Sequence, residues 1–123
     1  MKTIKCKFTF EECEKKLKEE IKKSGATLFF EIDHKKNAEE VGLKLNKCKV
    51  FYFGNPKVGT ILMQKNISIA YELPLRVALW EEGGETYVGY KLPSEIAEEY
   101  KVEADIVKKM DDFMSNIIGV LIS

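Results

Sequence analysis

The chain has 123 residues, of which 45% are hydrophobic, and this is enough to form one hydrophobic core. The length excludes a Rossmann enzyme with a second substrate domain, a barrel of repeated βα units and a solenoid. Twenty Lys and Arg residues balance twenty Asp and Glu residues, so no net charge favours nucleic acid or an anionic membrane as a partner. The chain has one histidine and three widely spaced cysteines, and no metal site is predicted from them.

The N-terminal segment and the cysteines indicate the compartment. Residues 1–7 alternate charged and apolar side chains, which is not the apolar core of a signal peptide, and no apolar run is long enough to span a membrane. An odd number of widely spaced cysteines (Cys6, Cys13 and Cys48) is typical of reduced thiols. We therefore expect a soluble cytoplasmic protein. The predominance of Lys and Glu resembles the composition of hyperthermophile proteins.

The first predicted elements are a strand, a helix and a second strand. Apolar residues alternate with polar ones over residues 4–10, which predicts a half-buried strand. Thr9 followed by Glu12 is a capping box, so a helix should begin there and end at Ser24 and Gly25. Its apolar stripe includes Cys13, and Cys6 is one of the alternating apolar residues of the preceding strand, so we expect both early cysteines in the core. A second strand is predicted over residues 27–33.

The middle of the chain predicts two short helices around an internal strand. A short helix should cover about residues 36–41 and end at Gly42. Residues 49–53 are apolar on both faces, which favours a central strand. Asn55 is a good N-cap and is followed by proline, so a helix is predicted from there to about residue 64.

The last part of the chain predicts a hairpin and two helices. A strand over residues 71–82 carries Pro74 near its start, and Gly83 and Gly84 connect it to a returning strand at 85–91. The hairpin requires antiparallel pairing, and the chain has too few βαβ units for a doubly wound sheet. We therefore predict an α+β fold, with a mainly antiparallel sheet and helices packed largely on one face. The last predicted elements are helices at about 93–100 and 103–121.

The final helix has an apolar stripe that needs a partner surface, which is either its own sheet or a second subunit. We predict that the stripe forms a dimer contact. Its residues are Met110, Phe113, Met114, Ile117, Ile118 and Leu121.

Six short segments occur in a characteristic order: EIDH at 31–34, VGLKL at 41–45, FGNPK at 53–57, GTILMQ at 59–64, LPLRV at 73–77 and LWE at 79–81. This order resembles the bacterial and archaeal family known as domain of unknown function 302, over about residues 5–100. The resemblance implies a TATA-binding-protein-like α+β fold of the order β-α-β-β-β-β-α, and homodimers. It implies no activity, substrate or catalytic residue. The whole chain, residues 1–123, is then one domain with an added C-terminal helix.

His34 is the single histidine and directly follows Asp33. A histidine beside a carboxylate suits general base catalysis, with Asp33 as the orienting group and Asn55 or Arg76 stabilising negative charge. It also suits a haem or metal site, with Met63 as a second axial ligand. The structural alternative is that Asp33 or His34 caps the short helix.

A second group of candidates follows the third predicted strand. Asn55 begins a helix whose backbone N–H groups suit an anion, and Thr60 and Met63 follow on the same helix. The structural alternative is ordinary turn and cap chemistry. If the strands before His34 and Asn55 run in the same direction, both segments line one pocket.

Two further residues have a functional and a structural interpretation. Arg76, the single arginine, either holds a carboxylate or phosphate or pairs with Glu72 or Glu81. Cys48 is reactive if nearby lysines lower its pKa, and otherwise structural.

Three functional hypotheses remain open, and the cofactor is unknown. The leading one is a homodimeric module that binds a small molecule, with pocket residues His34, Asn55, Thr60, Met63 and Arg76. The second is a small enzyme with His34 as general base, and the third is a haem or metal carrier. Lysines of the first helix alternate with glutamates, which indicates a solvated surface and not a nucleic-acid interface.

Overall fold

The computed structural model describes residues 1–122. Within this range, five strands form one sheet: β1 (Lys2–Lys5), β2 (Thr27–Asp33), β3 (Cys48–Gly54), β4 (Leu75–Glu82) and β5 (Glu85–Tyr90). The helices are α1 (Phe10–Lys23), α2 (His34–Glu40), α3 (Pro56–Lys65), α4 (Pro93–Glu99) and α5 (Ile106–Ile122), together with a 3₁₀ helix at Ile67–Glu72.

The strand order in the sheet is β1-β5-β4-β3-β2, and every neighbouring pair is antiparallel. The predicted α+β fold with an antiparallel sheet is therefore confirmed. The predicted internal position of β3 is also confirmed, since it lies between β2 and β4. In this register Gly54, at the end of β3, lies opposite Thr27, and Phe53 lies opposite Leu75.

The core lies between one face of the sheet and helices α1 and α5. Alternate residues of the strands point to this face, as the period of two in a strand requires. The Phe53 ring meets the Phe113 ring of α5 edge to face, with 5.9 Å between centroids. Fully buried strand residues of this face are Phe51, Phe53, Val77, Leu79 and Val88.

Helix α1 forms as its sequence predicts. The Thr9 hydroxyl accepts the Glu12 backbone N–H at 3.3 Å, and Gly25 adopts a φ of +82° just after the helix ends. The stripe that faces the core consists of Phe10, Cys13, Leu17 and Ile21. Thr9 therefore ends the preceding extended segment, and β1 covers only Lys2–Lys5 instead of residues 4–10.

The apolar stripe of α5 is buried inside its own chain, so the prediction that it forms a dimer contact is wrong. The helix packs against α1 and α4, and the Lys7 backbone N–H donates to the Leu121 carbonyl oxygen at 2.9 Å. A single antiparallel sheet with one solvated face leaves the other face for this helix. The buried stripe residues are Met110, Met114, Ile117, Ile118 and Leu121.

The strand predicted over residues 71–82 is shorter in the structure. The chain forms the 3₁₀ helix up to Glu72, passes through the cis Leu73–Pro74 bond and enters β4 at Leu75. Proline has no N–H to donate to a sheet, which explains why β4 begins after Pro74.

Cys6 and Cys13 are paired as a disulfide, so the expectation of three reduced thiols is wrong for these two. The turn at Thr9 brings the first turn of α1 back to the end of β1, and the two Cα atoms lie 6.8 Å apart. Both cysteines are buried in the core, as predicted, and Cys48 is the free cysteine of the described chain.

Gly89 lies under an aromatic side chain on the sheet face opposite α1 and α5. A Cβ atom at Gly89 would lie 2.8 Å from Trp80 Cζ3 and 2.9 Å from Met1 Sδ. The indole stacks beside the Tyr87 ring, with 6.1 Å between centroids. The absence of a side chain at Gly89 therefore allows Trp80 to lie flat on the sheet.

We expect Gly89→Ala to destabilise the protein by about 1–3 kcal/mol, because the added methyl group must displace the indole. The measurement is the free energy of unfolding in urea, with loss of tryptophan fluorescence as the signal. Gly119→Ala is the matched control, since a Cβ there meets no described atom within 4 Å outside its chain neighbours and its own helix. The control should be unchanged or more stable by up to about 1 kcal/mol. Equal stability of Gly89→Ala and the wild type would contradict this packing.

Candidate functional site

Several chain segments converge at the end of the sheet where β3 finishes. Strand β3 ends here at Gly54, and α3 begins two residues later. The neighbouring strand, β4, begins at the same end of the sheet. The C-cap of α1, Ser24, and the first residue of α5, Ile106, lie at the same end of the sheet. The antiparallel pairing thus gathers helix ends and strand ends around one space.

These segments surround a half-open cavity of about 440 Å³. Its wall is mainly apolar, and aliphatic, aromatic and thioether side chains from several elements contribute to it. The apolar side chains of the wall are Phe29, Val58, Met63, Leu73, Pro74, Leu75, Ile106, Met110 and Phe113.

Three polar residues line the cavity, namely Ser24, Asn55 and Lys109. The Asn55 side-chain oxygen accepts the Lys57 backbone N–H at 2.9 Å, so Asn55 is the N-cap of α3 as predicted. The Ser24 hydroxyl donates to the Ile21 carbonyl oxygen at 2.6 Å. Lys109 is exposed, and it is the one charged residue among the described residues that line the cavity. The site therefore combines an apolar wall with one cation at its rim.

His34 and Asn55 lie at opposite ends of the sheet, so the expectation of one pocket between their segments is wrong. Strands β2 and β3 are antiparallel, with Asp33 opposite Lys49 and Thr27 opposite Gly54. A strand of seven residues is about 20 Å long at the usual rise per residue. The same separation prevents His34 and Met63 of one chain from serving as the two axial ligands of one haem.

The Asp33 side chain caps α2, as the structural alternative predicted. Its Oδ1 atom accepts the Lys36 backbone N–H at 3.0 Å, and the helix begins at His34 instead of residue 36. His34 is exposed on the first turn. In the described part of the chain, no three His, Cys, Asp or Glu side chains are grouped as a metal site would need. The pairing of His34 with Asn55 or Arg76 that the catalytic hypothesis requires is not formed.

The remaining candidates are divided between the cavity and other surfaces. Met63 is half-buried and lines the cavity together with Asn55. The Thr60 hydroxyl donates to the Pro56 carbonyl oxygen at 2.7 Å on the exposed side of α3. Arg76 lies on the opposite face of the sheet, and its Nη2 atom is 3.2 Å from the Glu72 carboxylate. Of the five predicted pocket residues, the structure brings together Asn55 and Met63.

Sequence reasoning missed the contribution of α5 to the cavity. Ile106, Lys109, Met110 and Phe113 lie on its first turns, and Phe29 joins them from β2. The available signal was the apolar stripe of α5, since its first members, Met110 and Phe113, line the cavity. The prediction of a dimer contact does not include this role of the stripe as part of the cavity wall.

Cys48 has the environment of a structural cysteine. Burial raises the pKa of the Cys48 thiol, and the nearby Asp33 carboxylate raises it further. Desolvation and a negative charge both disfavour the thiolate, which favours the structural interpretation of Cys48 over the reactive one.

We expect Asp33→Asn to increase the rate at which iodoacetamide alkylates Cys48 at pH 8. The substitution removes a negative charge and so lowers the thiol pKa, while asparagine keeps the N-cap of α2. The measurement is the alkylation rate by mass spectrometry in non-reducing buffer, where the paired cysteines do not react. Glu40→Gln, at an exposed acidic position at the end of α2, is the control and should leave the rate unchanged. A slower reaction of Asp33→Asn would show that the carboxylate does not act on the thiol.

Comparison with known proteins places the chain among proteins of the same fold. A crystal structure of an uncharacterized conserved protein DUF302 from Bacillus stearothermophilus superposes with a TM-score of 0.77 at 17% identity, covering 98% of this chain and 94% of that one. At this identity the similarity shows the fold alone. No helix in residues 1–122 is long and apolar enough to cross a membrane.

Two curated relatives match at 31% identity over 101 residues, which is 81% of this chain. They are named fluoride-specific ion channel FluC 1, from Brucella suis biovar 1 and Brucella abortus biovar 1, and the match covers 40% and 37% of their lengths. The model of the family described as domain of unknown function DUF302 matches residues 2–119, which includes most of α5. The chain belongs to the DUF302 family.

Proposed function

We propose that this protein binds a small, mainly apolar molecule with one anionic group in the cavity at the end of the sheet. The observation that carries the proposal is the cavity itself. Its volume of about 440 Å³ lies in the usual range for ligand sites, and its wall is apolar apart from a few polar groups. A hydrophobic wall supplies affinity, and one charged group supplies orientation.

The anionic group is inferred from the position of Lys109. This residue is the fourth residue of a helix of 17 residues, so its ammonium group lies near the positive end of the helix dipole. The ammonium group and the positive end of the helix dipole both attract a carboxylate at the rim. The apolar part of the ligand then contacts Met63, Met110 and Phe113. Methionine side chains adapt to ligands of different shapes.

The catalytic and carrier hypotheses receive less support than binding. The residues that they require lie at opposite ends or on opposite faces of the sheet, and Asp33 is engaged as a helix cap. The curated relatives named as channels are more than twice as long as the region that they share with this chain. Their activity is therefore not part of this proposal.

The expected result is saturable binding of decanoate, a long-chain carboxylate, measured by isothermal titration calorimetry. Gly59→Leu should abolish it, because a side chain at this helical position points toward Leu73 and Met63 and fills the cavity. Thr60→Leu, the neighbouring exposed position, is the control and should bind like the wild type.

Lys109→Met should weaken the binding of decanoate about tenfold but leave the binding of decanol unchanged. Lys108→Met, the matched control, should change the binding of neither compound. Unimpaired binding by Gly59→Leu would disprove the site.

We also propose that the protein forms a homodimer through the outer edge of β2. This strand is an edge of the sheet and carries three consecutive apolar residues, Leu28, Phe29 and Phe30, which are 36%, 43% and 49% exposed. Natural proteins usually protect such an edge with charge or proline. Antiparallel pairing with a second copy places the acidic half of each strand, at Glu31 and Asp33, against the apolar half of the other.

Phe30→Glu should convert the dimer to a monomer, because a two-fold axis near this position brings two like charges opposite each other. The measurement is molar mass by light scattering after gel filtration. Tyr71→Glu is the matched control, since this aromatic side chain is 83% exposed and lies outside β2. A wild-type monomer, or a dimer that persists in Phe30→Glu, would contradict this interface.

A further inference from the structure

A second depression lies on the sheet face opposite α1 and α5. Its volume is about 280 Å³, and its floor includes Val50, Tyr52, Ala78 and Gly89. Val50, Ala78 and Gly89 are aligned across three neighbouring strands, so they form one flat surface. Gly89 adds no side chain, and the Trp80 indole and the Met1 thioether lie over its backbone, so they border the depression on this side.

Two cations lie at the rim of this depression around one buried carboxylate. Glu72 is 6% exposed, and its Oε1 atom lies 3.2 Å from Arg76 Nη2 and 3.6 Å from Lys91 Nζ. A buried carboxylate is balanced by one cation, so the second cation leaves the group with a net positive charge. The Arg76 and Lys91 side chains are 45% and 39% exposed, which keeps both accessible to a ligand.

The buried carboxylate also fixes the direction of the two cations. With one bond from Nη2 to Glu72, the planar guanidinium of Arg76 keeps most of its N–H donors for another acceptor. Tyr52 lies opposite Arg76 on the neighbouring strand, and the Phe30 ring stacks on Tyr52 with 4.4 Å between centroids. A cationic fork thus lies beside an aromatic side chain that is itself held in place.

We propose that this depression is a second binding site, for a small flat organic anion whose carboxylate or phosphate is held by Arg76 and Lys91. The apolar body of the ligand lies on Val50, Tyr52 and Ala78. Arginine suits both anions because its fork matches their oxygens. The site is on the other face of the sheet from the cavity of the proposed function and does not depend on it.

The test is a titration of the ¹⁵N-labelled protein with phenyl phosphate, benzoate and inorganic phosphate, followed by amide chemical shifts. We expect saturable shifts at Tyr52, Ala78 and Gly89 for the two aromatic anions. Inorganic phosphate should bind more weakly, because it has no body to lie on the floor. The ratio of the dissociation constants of phenyl phosphate and benzoate shows whether the site prefers a phosphate or a carboxylate. Shifts confined to the cavity at the end of the sheet, or no saturable shift, would overturn this site without affecting the proposed function.

Arg76→Gln and Lys91→Met should each weaken phenyl phosphate about tenfold or more, as expected for a lost charged hydrogen bond. Lys5→Met is the matched control, since Lys5 pairs with Glu85 outside the depression, and it should bind like the wild type. If Arg76→Gln does not fold, Lys91→Met decides the matter, because it leaves the bond between Arg76 and Glu72 in place. Unchanged affinity in a folded Lys91→Met variant would show that the three charges are only structural.

Discussion

The antiparallel pairing of β2 with β3 is the constraint on which the arrangement of candidate sites depends. It places the start of β2 and the end of β3 at one end of the sheet, and the passage from β2 into α2 at the opposite end. The segment that directly follows β3, beginning with Asn55, therefore lies at the cavity, and the segment that directly follows β2, beginning with His34, lies at the opposite end of the sheet. A parallel pair would have brought His34 and Asn55 together, and the chemistry available to this chain would then be different.

The local elements could be predicted from the sequence because each depends on a few neighbouring residues. Thr9, Asn55 and Pro56 specify helix starts through single hydrogen bonds or a fixed φ, and Gly83 and Gly84 specify the hairpin. Alternation along β4 and β5 identifies the buried face in the same way. These are interactions between residues close in the chain, and a single sequence contains them completely.

The candidate site was harder to predict because it depends on strand direction and long-range packing. Asn55 and Met63 were identified by their local context, but Lys109 and Phe113 reach the same cavity from a helix more than forty residues later in the chain. Periodicity shows that α5 has an apolar stripe without showing what covers it. The pairing of Cys6 with Cys13 was missed for a similar reason, because it depends on how the turn at Thr9 folds back on β1.

Helix α5 has two parts with different surroundings. Its first turns, with Ile106 and Lys109, border the cavity, while Ile117 and Leu121 near its end are completely buried in the core. Substitutions in the first part can alter the shape and charge of the cavity without removing a side chain from that end of the core. Members of a family built on this fold can therefore differ at the cavity while the same helix continues to hold the domain together.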